Sequence, residues 1–320
     1  MHPQREIIRP VSLDEADALA PLTWASYRSL LSLADPDARR LCRPCAVAAW
    51  DGDRPAGLTL SAVSPGRPLE AGEQTLLSLS VARPWRRHGL ALRLLAALEQ
   101  ALPALGVRHL AVSYSSRLPA ADAFTATLRA AGWPPPEPSR LRICGAVRDT
   151  VAVFRDRDSL MTRMKAEGLR LWSWRERGAE AEALATGRNE APAWAQPSHW
   201  RAMLDPDLSL VIGAAGGQAG DGADAGDEIV GWALCVHQPD LSRWFFPVGW
   251  VRPPFDRRAW LMGAYAEGAE RLAARHGGDA VAVIETGSGQ PGMWRLFERR
   301  FEPHVHWTDR MMSSERLLAP

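Results

Sequence analysis

The sequence predicts an α/β (α+β) protein of two similar domains, and three observations carry that expectation. Residues 76–112 read as a strand, a glycine-containing loop, a helix and a second strand. A second pass through a similar order of elements begins at Leu169, and a repeat this long points to a duplicated domain rather than a solenoid. The chain has 320 residues, 46% of them hydrophobic, which lets two domains each bury a core. The expected division is 1–156 for the first domain, 157–168 for a linker helix and 169–320 for the second.

Each element of the first copy has a local reason. Ile7 and Ile8 open a short strand, and Ser12 with Glu15 has the spacing of a capping box for a helix running toward Leu19. Residues 22–33 read as a further helix. The apolar runs 46–50 and 56–63 flank Asp51-Gly52-Asp53, a turn sequence that makes them a hairpin. Leu77, Leu79 and Val81 then alternate with Ser78 and Ser80, the period of a strand with one buried face, and Pro84 ends its pairing.

Leu90, Leu94, Leu95, Leu98 and Leu102 recur at helical spacing, which puts Arg86-Arg87-His88-Gly89 at a helix N-terminus. Unpaired backbone N–H groups and the positive end of the helix dipole suit a phosphate there. Gly89 and Ala91 lack bulk, so a ligand can come close to the backbone. Pro103 and Gly106 close the helix, and residues 109–112 resume as a strand. Residues 120–130 form another helix ended by Gly132, and the Pro134-Pro135-Pro136 run leads into strands at 141–147 and 150–154.

In the second copy the expected order is strand 169–174, helix 179–184, a hairpin of 209–214 with 228–236, strand 245–251, helix 258–276, strand 280–285, helix 293–300 and strand 304–311. The hairpin connection, 216–227, is rich in glycine and aspartate and reads as a mobile loop.

Bulk properties exclude some functions. A net charge of +1 gives no general attraction to nucleic acid or membrane. Residues 1–20 carry Arg5, Arg9, Asp14, Glu15 and Asp17 without a continuous apolar run, so a signal peptide or anchor is not expected and the cytoplasm is. Cys42 and Cys45 have no second pair to complete a zinc site, and His304 and His306, two apart on an expected strand, lack a third ligand. No metal is expected.

Val81-x-x-Pro84-Trp85-Arg86-x-x-Gly89-x-Ala91, set between an apolar strand and a leucine-striped helix, resembles the acyl-CoA pyrophosphate loop of the GNAT superfamily of N-acetyltransferases. The glycine pattern of a dinucleotide site and the Gly-Lys of a P-loop are both missing, and the one lysine, Lys165, lies far away. The resemblance implies a tandem protein in which each domain is a mixed, mostly antiparallel sheet flanked by helices. It implies that acetyl-CoA is the cosubstrate, held by the backbone of Leu79, Ser80 and Val81 and by the loop and helix start Arg86, Arg87, His88, Gly89, Leu90, Ala91 and Leu92. Where the first copy has Arg86, the second has Asp256, and Trp260 and Leu261 crowd its helix start, so the second copy is expected to be degenerate.

In this superfamily an amine attacks the thioester directly, so the site must remove an amine proton, stabilise an oxyanion and protonate the departing thiolate. Backbone N–H groups near Leu79 to Val81 are implied as the oxyanion contact. Many members carry a tyrosine four residues before the glycine that ends the helix after the second strand of this unit. Here that glycine is Gly132 and the position holds Leu128, which cannot donate a proton. Tyr114, at the end of the second strand, is the nearest substitute, and Tyr27 would overhang the acceptor pocket. Glu73, at the mouth of the strand, is the candidate base. Most of the tryptophans beyond Trp133 are expected in cores, with an aromatic acceptor pocket as the alternative.

The sequence therefore reads as an acyl-CoA-dependent N-acyltransferase moving an acetyl group to a small-molecule amine, as monomer or homodimer. Two other readings stay open: a non-catalytic CoA-binding or sensing protein, and acyl transfer or decarboxylation on a carrier-protein thiol.

Overall fold

The computed structural model describes residues 6–63, 72–154, 157–187, 191–216 and 227–319. Residues 217–226 of the expected glycine- and aspartate-rich loop lie outside the described residues. The chain divides into two compact units, one of residues 1–139 with 310–320 and the other of residues 140–309.

The first unit begins with β1 (Ile7–Pro10), after which Glu15 accepts from the Ser12 backbone N–H at 2.9 Å and so caps the turn leading into α1 (Ala16–Leu19). The helix expected at 22–33 is broken. Thr23 is extended (φ −136, ψ 165), and only α2 (Arg28–Leu31) remains α-helical. A short helix absent from the expectations, α3 (Pro36–Cys42), starts where Asp35 accepts from the Asp37 N–H at 3.0 Å, with Pro36 in its first turn. Strands β2 (Cys45–Asp51) and β3 (Arg54–Ala62) form the expected hairpin, with Gly52 at φ 59 in its turn.

Strand β4 (Glu73–Val81), helix α4 (Leu90–Ala101), strand β5 (His109–Ser115) and helix α5 (Ala121–Ala130) follow. Helix α4 lays Leu90, Leu94, Leu95 and Leu98 on the sheet. Gly57 of β3 makes room, since a Cβ there would meet Leu94 at 2.7 Å. Ala16, Leu19 and Leu31 join Ala48, Trp50, Leu58 and Leu60 in a separate core.

The last strand of this sheet comes from the far end of the sequence. Strand β12 (Trp307–Leu317) pairs antiparallel with β5, from Met311 opposite Ser115 to Leu317 opposite His109. The sequence predicts strands at 141–147 and 150–154 to end the first domain. Residues 150–154 instead fall mostly in a helix, because Val147, Val151 and Phe154 recur at helical spacing and form one buried or half-buried stripe. With one strand fewer available locally, the division at residue 156 does not match the contacts, and residues 310–320 complete the first unit.

The second unit opens on β6 (Glu137–Ala146), of which residues 140–146 belong to it, and continues through α6 (Val147–Val153) and α7 (Arg157–Ala166). Helix α7, expected as a linker, is part of this unit's core: Met161 and Met164 pack with Leu169 and Ala264. Then come β7 (Leu169–Ser173), α8 (Trp174–Gly187), β8 (Leu210–Ala214), β9 (Glu228–Gln238), β10 (Arg243–Val251), α9 (Trp260–His276), β11 (Val281–Gly287) and α10 (Pro291–Leu296). The sheet order is β6-β11-β10-β9-β8-β7, with only β10 and β11 parallel. His304 sits in a short turn (Glu302–His304), so it shares no strand face with His306. Among the described residues no three His, Cys, Asp or Glu side chains group to hold a metal, and all four cysteines are free.

Candidate active site

In the first unit the parallel pairing of β4 and β5 runs from Glu73 opposite His109 to Leu76 opposite Val112 and then stops. At the same level β4 carries a bulge against β3: Ser61 faces Leu76 and Leu60 faces Ser78, so Leu77 is the extra residue. A bulge raises local twist and bends its strand. The two parallel strands part there, and a cleft of about 540 Å³ opens, lined by residues 76–80 of β4 and 112–115 of β5. Backbone N–H groups of β4 that point away from β3 beyond Leu76 have no β5 partner and open on this cleft.

The broken stretch after α1 forms one wall. Thr23 and Ser78 hydroxyls lie 2.6 Å apart, Tyr27 faces the cleft, and Trp24 beside them is 60% exposed. Opposite, the Tyr114 hydroxyl lies 2.6 Å from the Thr125 hydroxyl, and Thr125 donates to the Ala121 carbonyl at 2.9 Å. Thr125 has one proton, and the carbonyl takes it. The phenol therefore donates to Thr125. Edge-on contact with Phe124, at 4.8 Å between ring centres, fixes the ring. Leu128 is fully buried in the first unit's core, so the phenol reaches α5 from the strand side, one turn before the position at which the superfamily's tyrosine is expected. Met311 of β12 closes the lining.

Beyond Val81 the chain turns through residues 83–85 into the loop. The Trp85 indole N–H donates to Asp51 at 3.3 Å, and the Arg54 guanidinium lies 5.1 Å over its ring, which fastens the turn to the hairpin. Arg86 donates through Nε to the Val81 carbonyl at 2.8 Å. Arg87 (φ 66) and Gly89 (φ 73) are both left-handed, and Gly89 caps α4 with no side-chain acceptor on the first N–H groups. Arg86, Arg87, His88 and Gly89 are exposed, whereas the Leu90 side chain is buried and offers only its backbone. Half-buried Ala91 and Leu92 follow on the helix. Arg93 donates to Glu6 at 2.7 Å, and this holds the Glu6 carboxyl below its usual range. An exposed, uncapped helix start carrying three basic side chains fits a pyrophosphate.

Glu73 sits elsewhere. It starts β4, in the part still paired to β5, and it is not in the cleft lining. The polar lining among the described residues consists of hydroxyls, the Trp24 indole and backbone. Sequence reasoning did not find Thr23, Ser78, Thr125 or Met311. None of them carries a local signal, because each reaches the cleft only through the fold.

The second unit's loop is different. Asp256 replaces Arg86, Ala259 takes the left-handed cap (φ 58), Trp260 is buried and stacks on Phe255 at 5.3 Å, and Arg258 covers both rings.

Residues 15–127 match the acetyltransferase (GNAT) family. No curated protein matches the chain. Among solved structures, a tandem GNAT protein from the clavulanic acid biosynthesis pathway is 14% identical over 99% of both chains, with a TM-score of 0.55. A GCN5-related N-acetyltransferase from Sphaerobacter thermophilus is 16% identical over 100% of this chain and 98% of the other, with a TM-score of 0.56. A fungal GH3 β-N-acetylglucosaminidase with a GCN5-related glucosamine N-acetyltransferase region is 13% identical over 98% of this chain, with a TM-score of 0.65, and the chain spans 38% of its length. At these identities the likeness is one of fold.

Proposed function

From the premise that the chain is a tandem GNAT protein, an acyltransferase by the family of its first domain, we propose that the first unit transfers an acetyl group from acetyl-CoA to a small-molecule amine in the cytoplasm. The observation that supports this reading is the junction of two features along one strand: β4 parts from β5 beyond Leu76 beside a cleft of about 540 Å³, and ten residues on, past the turn at 83–85, the chain enters an exposed basic loop at an uncapped helix start. A thioester and a pyrophosphate joined by one pantetheine arm need that pair of sites.

Arg86, Arg87, His88 and the N–H groups of Gly89 to Leu92 would hold the pyrophosphate, and the β4 backbone at Leu79 to Val81 would meet the acyl oxygen. When bound, acetyl-CoA supplies an electrophilic thioester carbon. The balance is simple: an N–C bond forms, the C–S bond breaks, sulfur takes a proton from Tyr114, and the proton shed by the amine passes through solvent to restore the phenol. Tyr114 is the proposed proton donor, since rotation of its O–H away from Thr125 turns the proton toward the cleft. Thr23 and Ser78 are proposed to orient the amine by hydrogen bonds, with Tyr27 as a further wall. Release of free thiol from acetyl-CoA in the presence of an amine panel tests the reading. Tight acetyl-CoA binding without acetylation of any amine would favour a CoA-binding role instead.

A further inference from the structure

The second unit has its own cleft at the matching place. Strands β10 and β11 pair in parallel from Trp244 opposite Ala282 to Phe246 opposite Ile284, and β10 bulges against β9 between Phe245 and Val248. There the strands part around a space of about 510 Å³, a size that suits a small molecule. We propose that this cleft binds a small carboxylate with an aromatic or branched apolar body.

Shape and wall chemistry give the body. Trp194, Trp200, Leu261 and Met293 line the cleft, and Trp194 is 51% exposed. Large rigid apolar walls of this kind favour a ring or a branched chain.

Hydrogen-bonding groups give the head. Tyr265 is 7% exposed, and its hydroxyl reaches the backbone where the strands part: a Cβ on Gly249 would lie 2.0 Å from it. Burial pushes this phenol's pKa up, so it stays protonated and donates. Thr286, also 7% exposed, has a hydroxyl with no hydrogen-bond partner among the described residues. A buried polar group left unmet costs about 1–3 kcal/mol, which an arriving acceptor recovers. Arg140 adds a guanidinium at the rim. The one carboxylate in the lining, Glu285, is already met by Arg140 at 3.4 Å and Arg142 at 3.0 Å. With the lining carboxylate already engaged, the unmet Thr286 hydroxyl, the protonated Tyr265 phenol and the rim guanidinium together suit an acceptor carrying negative charge. The loop beyond β10, with Asp256 in it and Arg258 lying over Phe255 and Trp260, does not offer the phosphate site that CoA needs.

Calorimetric titration of the full chain with phenylacetate, indole-acetate and isovalerate tests this, with phenethyl alcohol as the uncharged analogue of phenylacetate. At least one carboxylate is expected to saturate at one per chain, and phenethyl alcohol to bind at least about tenfold more weakly than phenylacetate. Tyr265→Phe and Thr286→Val, each removing one hydroxyl, are expected to weaken the carboxylate by about fivefold or more. Trp194→Ala, a half-exposed position, tests the wall without risk to the core. Acetyl-CoA affinity and melting temperature should hold in all three variants, which separates this site from the first unit's. Failure of all three carboxylates to saturate overturns the proposal, as does wild-type carboxylate binding in both hydroxyl variants.

Discussion

The two copies share a skeleton and differ in what they hang on it. In each, a bulge falls where the parallel pair ends, at Leu77 in the first and at Phe246 or Pro247 in the second, and a cleft opens beyond it. In each, a left-handed residue starts the next long helix, Gly89 in one and Ala259 in the other. The chain has three tyrosines, and all three line these clefts. Yet Tyr114 comes from the strand, whereas Tyr265 comes from the helix, and the strand position matching Tyr114 holds Thr286. The two units share backbone geometry where their side-chain chemistry differs, because the bulge and the parting of the strands are made by pairing alone.

The largest expected effect breaks the symmetry of the two loops. Gly89→Glu places a carboxylate beside the expected pyrophosphate and should weaken acetyl-CoA by several kcal/mol, roughly a hundredfold or more. Ala259→Glu should leave it unchanged. Titration is expected to saturate at one acetyl-CoA per chain, and saturation at two would mean that the second loop also works.

Next comes Gly249→Ala, whose new Cβ would meet Tyr265 and Leu261 at 2.0 and 2.8 Å. Overpacking of this kind should cost about 1–3 kcal/mol of stability in thermal or urea unfolding. Its first-copy counterpart is Leu79, which already carries a side chain. An unchanged melting temperature would show that the phenol moves freely.

Tyr114→Phe should lower kcat by more than about tenfold with little change in acetyl-CoA affinity, as expected when a positioned acid is lost. Wild-type kcat across the pH range would remove Tyr114 from the chemistry. Tyr265→Phe is the internal control, and acetyl transfer should survive it.

The smallest effects are a matched pair at the helix caps. Gly89→Ala should destabilise and Ala259→Gly should stabilise, each by about 1 kcal/mol, since both positions hold a positive φ. Equal melting temperatures for both variants would show that the caps relax without strain.

What was legible in the sequence was local. The hairpin at Gly52, the capping box at Glu15 and the loop from Arg86 to Leu92 each follow from residues within one turn of each other, and the leucine stripe of α4 needs only its own period. The pairing of residues 310–317 with β5 was not legible, because strand partners far apart in sequence leave no mark in either segment. Residues 150–154 were misread for a related reason: Val and Thr favour strands, but Val147, Val151 and Phe154 make a helical stripe that only burial selects. The cleft's hydroxyls were invisible because Thr23 meets Ser78, and Tyr114 meets Thr125, only through the fold. Glu73 is the carboxylate at the mouth of the strand on the face of Leu77 and Leu79, yet pairing with β5 holds it in the closed part of the sheet.

The borrowed last strand also sets an order of events during synthesis. A ribosome makes residues 310–317 after every residue of the second unit, so the first unit's sheet waits with one edge of β5 bare while some 170 residues of the other unit are added. A bare edge recruits stray strands from other chains. Production of this protein should therefore depend on how fast translation passes through the second unit and on chaperones that shield β5 meanwhile, and a chain cut short after Asp309 should aggregate even though every residue of the basic loop from Arg86 to Leu92 is present.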